Sequence, residues 1–264
     1  MKILAILGSP KGKGSGFKLT RQIEEEMKSY GEVDFDYLLL KEQDLQPCRG
    51  CFLCVTKGED RCPITDDRQL IEKRIEAADG VILLSPSYVS NVTWIMKNFI
   101  DRLCYTNHRP KFFRQKLMLV SNAGSGMEKT VEALRLALGA GPQIASELTY
   151  LTPPWPLSER ANKKQQRNLE KKTREFYEAI RKDAARGGLP ARPSFGDYLR
   201  FRFFKKISAD TKAYLTADHA YYSAKGEYYY ETKVSPLMRI GASLMLKVSM
   251  LFMRDLAPGE TALQ

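Results

Sequence analysis

A chain of 264 residues that is 43% hydrophobic and 28% charged can bury one sizeable core with material left for an appendage. No stretch of about 20 residues is free of charge, which excludes a membrane-spanning helix. The net charge of +11 is uneven: residues 159–264 carry 21 Lys/Arg against 12 Asp/Glu, and residues 1–158 carry 21 against 19. The basic character therefore belongs to the C-terminal part.

Met1 leads into KILAILGSP, an apolar run too short and too soon broken for a secretory signal. A cytoplasmic protein is expected. Lys2 to Leu7 reads as a buried parallel strand ended by Gly8. Gly8-Ser9-Pro10-Lys11-Gly12-Lys13-Gly14-Ser15-Gly16 follows and enters a helical pattern from Phe17 to Tyr30. Strand, Gly-rich turn and helix N-terminus together make an anion site, because the backbone can approach closely and N–H groups and the helix dipole face the charge. Ser9 and Ser15 add hydroxyls, and Lys11 or Lys13 adds a cation. The stretch is neither a Walker A motif nor a Gly-x-Gly-x-x-Gly fingerprint. A plain Gly-rich connection is the alternative.

Val33 to Leu40 reads as the second strand. Four of the five cysteines follow as Cys48-x2-Cys51-x2-Cys54-x7-Cys62, with Pro63 after the last. Three thiolates two residues apart can wrap one corner of a [4Fe–4S] cluster while a fourth reaches it from further along. Zinc more often takes two separated Cys-x2-4-Cys pairs. Zinc and plain reduced thiols stay open as alternatives. In a reducing compartment clustered thiols favour metal or redox work over structural disulfides. Cys104 lies in an apolar helical pattern and is expected in the core.

Thr65-Asp66-Asp67 opens a helix to about Ala77, and Gly80 to Leu84 reads as a central strand. Ser85-Pro86-Ser87-Tyr88-Val89-Ser90-Asn91 is a turn-rich segment at that strand's end, followed by a helix from Thr93 to Tyr105. Lys116 to Ser121 is the fourth strand and ends in Asn122-Ala123-Gly124-Ser125-Gly126. A helix from Met127 to Leu138, a strand from Ile144 to Leu151 and a polar helix from Glu159 to Ala185 complete the series. This alternation predicts an α/β fold with a doubly wound five-stranded parallel sheet. Ligands of such sheets collect at strand C-terminal ends, so Tyr88 is placed to touch a planar cofactor, or else packs on a neighbouring loop. Glycine and alanine after the fourth strand permit close approach of a flat ring. His108 and His219 have no motif around them and are expected to be packing or surface residues.

The expected division is residues 1–186, including the cysteine loop, and a mostly helical C-terminal extension, 187–264. Gly187-Gly188-Leu189-Pro190, with Pro193, reads as a linker. Arg200 to Lys206 interleaves basic and aromatic side chains, and Tyr221-Tyr222 and Tyr228-Tyr229-Tyr230 follow. Nucleic acid is disfavoured as a partner for want of any recognised motif. A packing surface over the first domain or a second subunit is expected instead. Pro236 to about Leu256 reads as a helix with Arg239, Ser243, Lys247 and Arg254 on a narrow stripe and apolar residues elsewhere. Burial against protein, in a homodimer or larger homo-oligomer, is expected; peripheral membrane contact through 236–256 is the alternative.

Gly8-Ser9-Pro10-Lys11, the cysteine series followed by Asp66-Asp67, and Ser85-Pro86-x-Tyr88 leading to Met96-Lys97-x3-Asp101-Arg102 occur in this order. Over about residues 1–150 the chain resembles the NADPH-dependent FMN reductase superfamily of flavodoxin-like fold, and within it the iron–sulfur flavoproteins. The resemblance implies an FMN with its phosphate on Ser9, Lys11, Gly14, Ser15 and Gly16. It places the isoalloxazine against Pro86, Ser87, Tyr88, Val89, Ser90 and Asn91, and against Asn122, Ala123, Gly124 and Gly126. Ser15-Gly16 departs from the family, which often has Asn-Thr there. The function implied is an oxidoreductase that passes electrons from NAD(P)H or a ferredoxin-type donor through FMN, and through a [4Fe–4S] cluster on Cys48, Cys51, Cys54 and Cys62 where one is held, to a small-molecule or protein acceptor. A cluster-free NAD(P)H:FMN or quinone reductase and a non-catalytic electron carrier are the alternatives. No catalytic side chain is expected, because the chemistry is the cofactors' own.

Overall fold

Five short runs become the strands of one all-parallel sheet: β1 (Lys2–Leu7), β2 (Asp34–Leu39), β3 (Gly80–Pro86), β4 (Lys116–Ala123) and β5 (Gln143–Leu151), in the order β2-β1-β3-β4-β5. The computed structural model describes residues 1–186 and 192–252. β3 is buried at every position and β4 at all but its last, as strands covered on both faces must be. β2 alternates at its start because it lies at an edge. This strand order is the flavodoxin-like one, whose switch point falls between β1 and β3.

The helices that cover the sheet are α1 (Ser15–Tyr30), α3 (Arg68–Glu76), α4 (Trp94–Arg102), α5 (Met127–Leu134) and α6 (Glu159–Ala184); α2 is a single turn, Leu53–Thr56, in the cysteine loop. α1 buries Leu19, Ile23 and Met27, four residues apart, in the same core as Phe176 and Ile180 of α6. The helix expected to reach Tyr105 stops at Arg102 and tightens into a 3-10 turn, Cys104–Asn107, so Cys104 is half-buried rather than in the core.

Glu24 on α1 is buried and accepts from Arg21 Nη1 at 2.9 Å, Lys28 Nζ at 2.7 Å and Tyr37 Oη at 2.5 Å. Burial pushes its carboxyl up, but the bonds from Lys28 and Tyr37 and the charges of Lys28 and Arg21 outweigh it and hold the group below the usual range. A depressed carboxyl contributes stability above its unfolded pKa and loses it as pH falls through the folded one. Glu24→Gln should therefore be less stable than the parent at neutral pH, with the difference shrinking on acidification. Urea midpoints measured from about pH 7 to about pH 3 check this; a gap that stays constant contradicts it.

The described residues form two compact units: 1–49, 64–107 and 111–186 in the first, and 50–63, 108–110 and 192–252 in the second. The second contains α2, α7 (Phe195–Asp210), α8 (Thr216–Ser223) and α9 (Pro236–Phe252). α7 opens with a full capping box between Ser194 and Asp197. The tyrosines expected as a covering surface instead pack on one another as this unit's core. Phe201 lies edge-on to Tyr229 at 4.8 Å between centroids, and Tyr228 to Tyr229 at 4.9 Å. Burial pushes the Tyr229 hydroxyl up to about 12. Three of the interleaved basic residues are occupied within the unit: Lys205 Nζ donates to Lys225 O at 2.6 Å, Arg202 Nη1 to Tyr198 Oη at 3.2 Å and Lys206 Nζ to Asp210 Oδ2 at 2.6 Å. α9 buries Ala242, while Leu237, Leu251 and Phe252 are each more than 70% exposed, so the burial expected for its apolar face is not met among the described residues. The linker expected at Gly187–Pro190 and the end of the last helix, with Arg254 and Leu256, lie outside the described residues. Among the described residues no helix is long and apolar enough to cross a membrane.

Candidate functional site

The first unit brings three of the expected loops to the carboxyl ends of β1, β3 and β4. Gly8 N donates to Leu84 O at 2.8 Å, Ser87 N to Asn122 O at 3.2 Å, and Thr152 N to Ala123 O at 2.8 Å, so the loops leave the sheet side by side.

The turn after β1 is built for close backbone approach. Gly12 has φ +65 and sits beneath Lys41, whose Nζ would lie 2.6 Å from a Cβ placed there. Gly14 caps α1 without a side-chain bond, and no acidic residue occupies the first turn, which leaves the helix's N–H groups and dipole for an anion. Ser15 Oγ accepts from Asn122 Nδ2 at 3.1 Å. Its hydroxyl proton is thereby directed elsewhere, and Ser15 is exposed. Asn122 Nδ2 also donates to Thr152 Oγ1 at 3.0 Å, while its buried Oδ1 has no partner. The departure at Ser15-Gly16 has a local cause: a Cβ on Gly16 would lie 2.6 Å from Leu84 Cδ2, so a β-branched residue would crowd the core. An orphaned amide oxygen, an open hydroxyl and an uncapped helix start fit a phosphorylated, hydrogen-bonding ligand.

Beside this turn, Tyr88 and Asn91 exchange backbone bonds at 3.0 and 3.1 Å around a tight reversal. Val89 (φ 52) and Ser90 (φ 56) occupy its centre in the left-handed region, unusual for a residue other than glycine and costly for a β-branched one. Val89 is fully exposed, and Tyr88 is 46% exposed. Ser87 Oγ donates to Gly126 O at 2.9 Å and accepts from Thr130 Oγ1 at 2.9 Å, and Ser90 lies against Gly126, itself at φ +70. The loops after β3 and β4 therefore interlock. Thr93, which caps α4 by accepting from Met96 N at 3.2 Å, also donates to Gly8 O and ties the third loop to them.

The ends of the cysteine loop are pinned in this first unit. Cys48 N donates to Asn98 Oδ1 at 3.0 Å, and Asn98 Nδ2 donates to Leu45 O at 3.0 Å. Asp66 receives Arg102 Nη2 at 2.7 Å and Gln46 N at 2.9 Å; Asp67 receives Asp44 N at 2.8 Å. These two carboxylates hold the loop ends, and they also stand at the start of α3: Asp66 Oδ1 accepts from Arg68 N at 3.2 Å, and Asp67 is the N-cap residue, without a side-chain bond to the helix. Within the second unit Cys51 is exposed and Cys54 and Cys62 are half-buried. Four thiols are the donor set an iron–sulfur cluster takes. Among the described residues, however, no three His, Cys, Asp or Glu side chains are gathered as one ion requires, so the donor chemistry fits and the gathering is not part of this geometry.

Sequence reasoning missed Lys41, Thr93 and Asn98. It also passed over Trp94 and Trp155, two exposed indoles at the start of α4 and after β5, on the strand-end side of the sheet. Asn98 sits inside the Met96–Arg102 motif and was open to discovery there; Lys41 lies far from the glycines it covers and carries no local signal.

Such a sheet, with an anion-ready turn and two interlocked loops at its switch point, defines a flavodoxin-like protein of the nucleotide-cofactor class. Residues 1–151, more than half of the chain, match the family described as NADPH-dependent FMN reductase, and the chain belongs to that family. It is 37% identical over 110 residues to an iron-sulfur flavoprotein of Archaeoglobus fulgidus, which covers 42% of this chain and 49% of that protein. Another iron-sulfur flavoprotein, of Methanocaldococcus jannaschii, is 37% identical over 102 residues, 39% of this chain and 51% of its own. The chain thus spans about half the length of these curated relatives. RosB, solved with the bound intermediate 8-demethyl-8-formylriboflavin-5′-phosphate, shares the fold with a TM-score of 0.53 at 11% identity, over 89% of this chain and 93% of its own.

Proposed function

We propose that this chain is an FMN-dependent oxidoreductase that takes electrons from NAD(P)H or a ferredoxin-type donor and passes them to a small-molecule or protein acceptor. The observation that carries the reading is the uncapped start of α1 beside the interlocked loops Pro86–Asn91 and Asn122–Gly126, in a chain of the FMN reductase family. FMN, when bound, supplies hydride acceptance and single-electron release. The chain's residues do the holding. The first-turn N–H groups of α1 and the Ser15 hydroxyl bind the phosphate, with Lys11 and Lys41 adding charge. Pro86 to Asn91 and Asn122 to Gly126 receive the ring.

Cys48, Cys51, Cys54 and Cys62 are proposed ligands of a [4Fe–4S] cluster, which when bound supplies one-electron transfer. The support is their spacing and the names of the curated relatives. A cytoplasmic homo-oligomer belongs to the same reading, supported by the uncovered apolar row of α9. Steady-state oxidation of NADPH and NADH by the FMN-loaded protein, with a quinone or ferricyanide as acceptor, tests the activity. Sustained turnover is expected. Flavin that is reduced once and never turns over would leave an electron carrier as the better reading.

A further inference from the structure

The single turn α2 carries Cys54 and ends in carbonyls that no longer helix can satisfy. Their accounting is complete within the second unit. Leu53 O accepts from Lys57 N at 2.8 Å and Gly58 N at 3.1 Å. Cys54 O accepts from Arg109 Nη2, and Val55 O from Arg109 Nη1 at 3.0 Å. Thr56 O accepts from Thr216 Oγ1, on the first residue of α8, at 3.0 Å. Arg109 is 4% exposed, and its charge is balanced by Asp218 of α8, 1% exposed, and by Glu59 Oε2 at 3.0 Å. Asp218 also receives His108 Nδ1 at 2.8 Å, while Tyr222 and Tyr221 donate to His108 O and Pro110 O at 2.7 and 2.6 Å. One helix of the C-terminal region therefore holds the cysteine turn directly, and also holds the tripeptide that delivers the guanidinium.

We infer that the C-terminal helical region is the scaffold of the cysteine loop, with Arg109 as its positioning residue and Asp218 and Thr216 of α8 as supports. A cation that caps two successive carbonyls at a helix C-terminus fixes that turn where a one-turn helix alone would fray. Burial raises the cost of losing either member of the Arg109–Asp218 pair, since the other is left as an uncompensated charge. Only the purpose of the ordered thiols, ligation of a cluster, rests on the function proposed above.

Hydrogen exchange of the full-length, FMN-loaded protein tests the scaffold, read by mass spectrometry in peptides covering 50–63. Arg109→Lys keeps the charge but loses the fork, and should speed exchange of the Val55–Gly58 amides by about tenfold or more, with peptides from β1, β3 and β4 unchanged. Thr216→Val removes one bond at an exposed position and should act at the same amides more weakly, which preserves the test if Arg109→Lys fails to fold. Iodoacetamide labelling of Cys54 should accelerate in both. Unchanged exchange and labelling in 50–63, with new exchange confined to α8, would overturn the inference. Iron uptake by the unaltered protein is scored separately: its absence removes the cluster reading, while the exchange result alone decides the scaffold.

Discussion

Gly126→Ala is expected to weaken FMN binding by about tenfold in a protein that still folds. Gly126 sits at φ +70, where an L side chain costs about 1–2 kcal/mol. Its new Cβ would collide with Ser90 Oγ and come within 3.2 Å of Ser90 Cβ and 3.3 Å of Ser90 Cα. Ser90 cannot yield cheaply, because it and Val89 already hold left-handed conformations in a turn closed by Tyr88 and Asn91. The displaced turn is one of the two proposed to receive the ring, and the Ser87–Gly126 bond passes the shift to the other. Fluorescence titration with FMN measures the affinity, and a melting curve measures the cost to stability. A melting point lowered by a few degrees with unchanged affinity would show that these loops do not hold the flavin.

Alanine at Cys48, Cys51, Cys54 or Cys62 is expected to abolish iron retention. The anaerobically reconstituted parent should hold close to four irons and four sulfides per chain, about what one cluster requires. FMN affinity should be spared, because the loops proposed for the flavin are held by Asn122, Ser87, Thr93 and Gly126 rather than by any cysteine. Cys104→Ala should leave the iron unchanged, since that residue lies in the 3-10 turn after α4. Exposure of Cys51 makes air an adversary, so iron and sulfide are assayed on protein kept anaerobic throughout. A parent that binds FMN but takes up no iron would leave the cluster-free reductase.

The middle of the sheet was legible because β1, β3 and β4 are short apolar runs closed by turns, as burial on both faces demands, while the edge strands β2 and β5 mix polar and apolar positions. The loops at the strand ends were legible for the same reason: Gly8, Pro86 and Asn122 stand where the apolar runs stop. The contacts that hold those loops were not. Thr93 donating to Gly8 O joins residues 85 apart, and Asn98 holding Cys48 joins residues 50 apart. No local period announces such pairs. Arg109 was hidden more deeply, since a lone arginine beside a histidine and a proline carries no pattern until Asp218 and the α2 carbonyls converge on it. The tyrosines were read as a surface because aromatics interleaved with Lys and Arg look alike in an open platform and in a small core whose basic side chains fold back onto carbonyls. The broad apolar stripe of α9 implied a covering partner, and among the described residues Leu237, Leu251 and Phe252 stay exposed.

The most direct measurement is titration of the unaltered, flavin-free protein with FMN, following fluorescence quenching and the visible spectrum together. Saturable binding of about one FMN per chain, with shifted flavin bands that riboflavin reproduces only weakly for want of the phosphate, is the result expected from the α1 site. FMN that keeps its free fluorescence and its free spectrum at saturating protein would contradict the account.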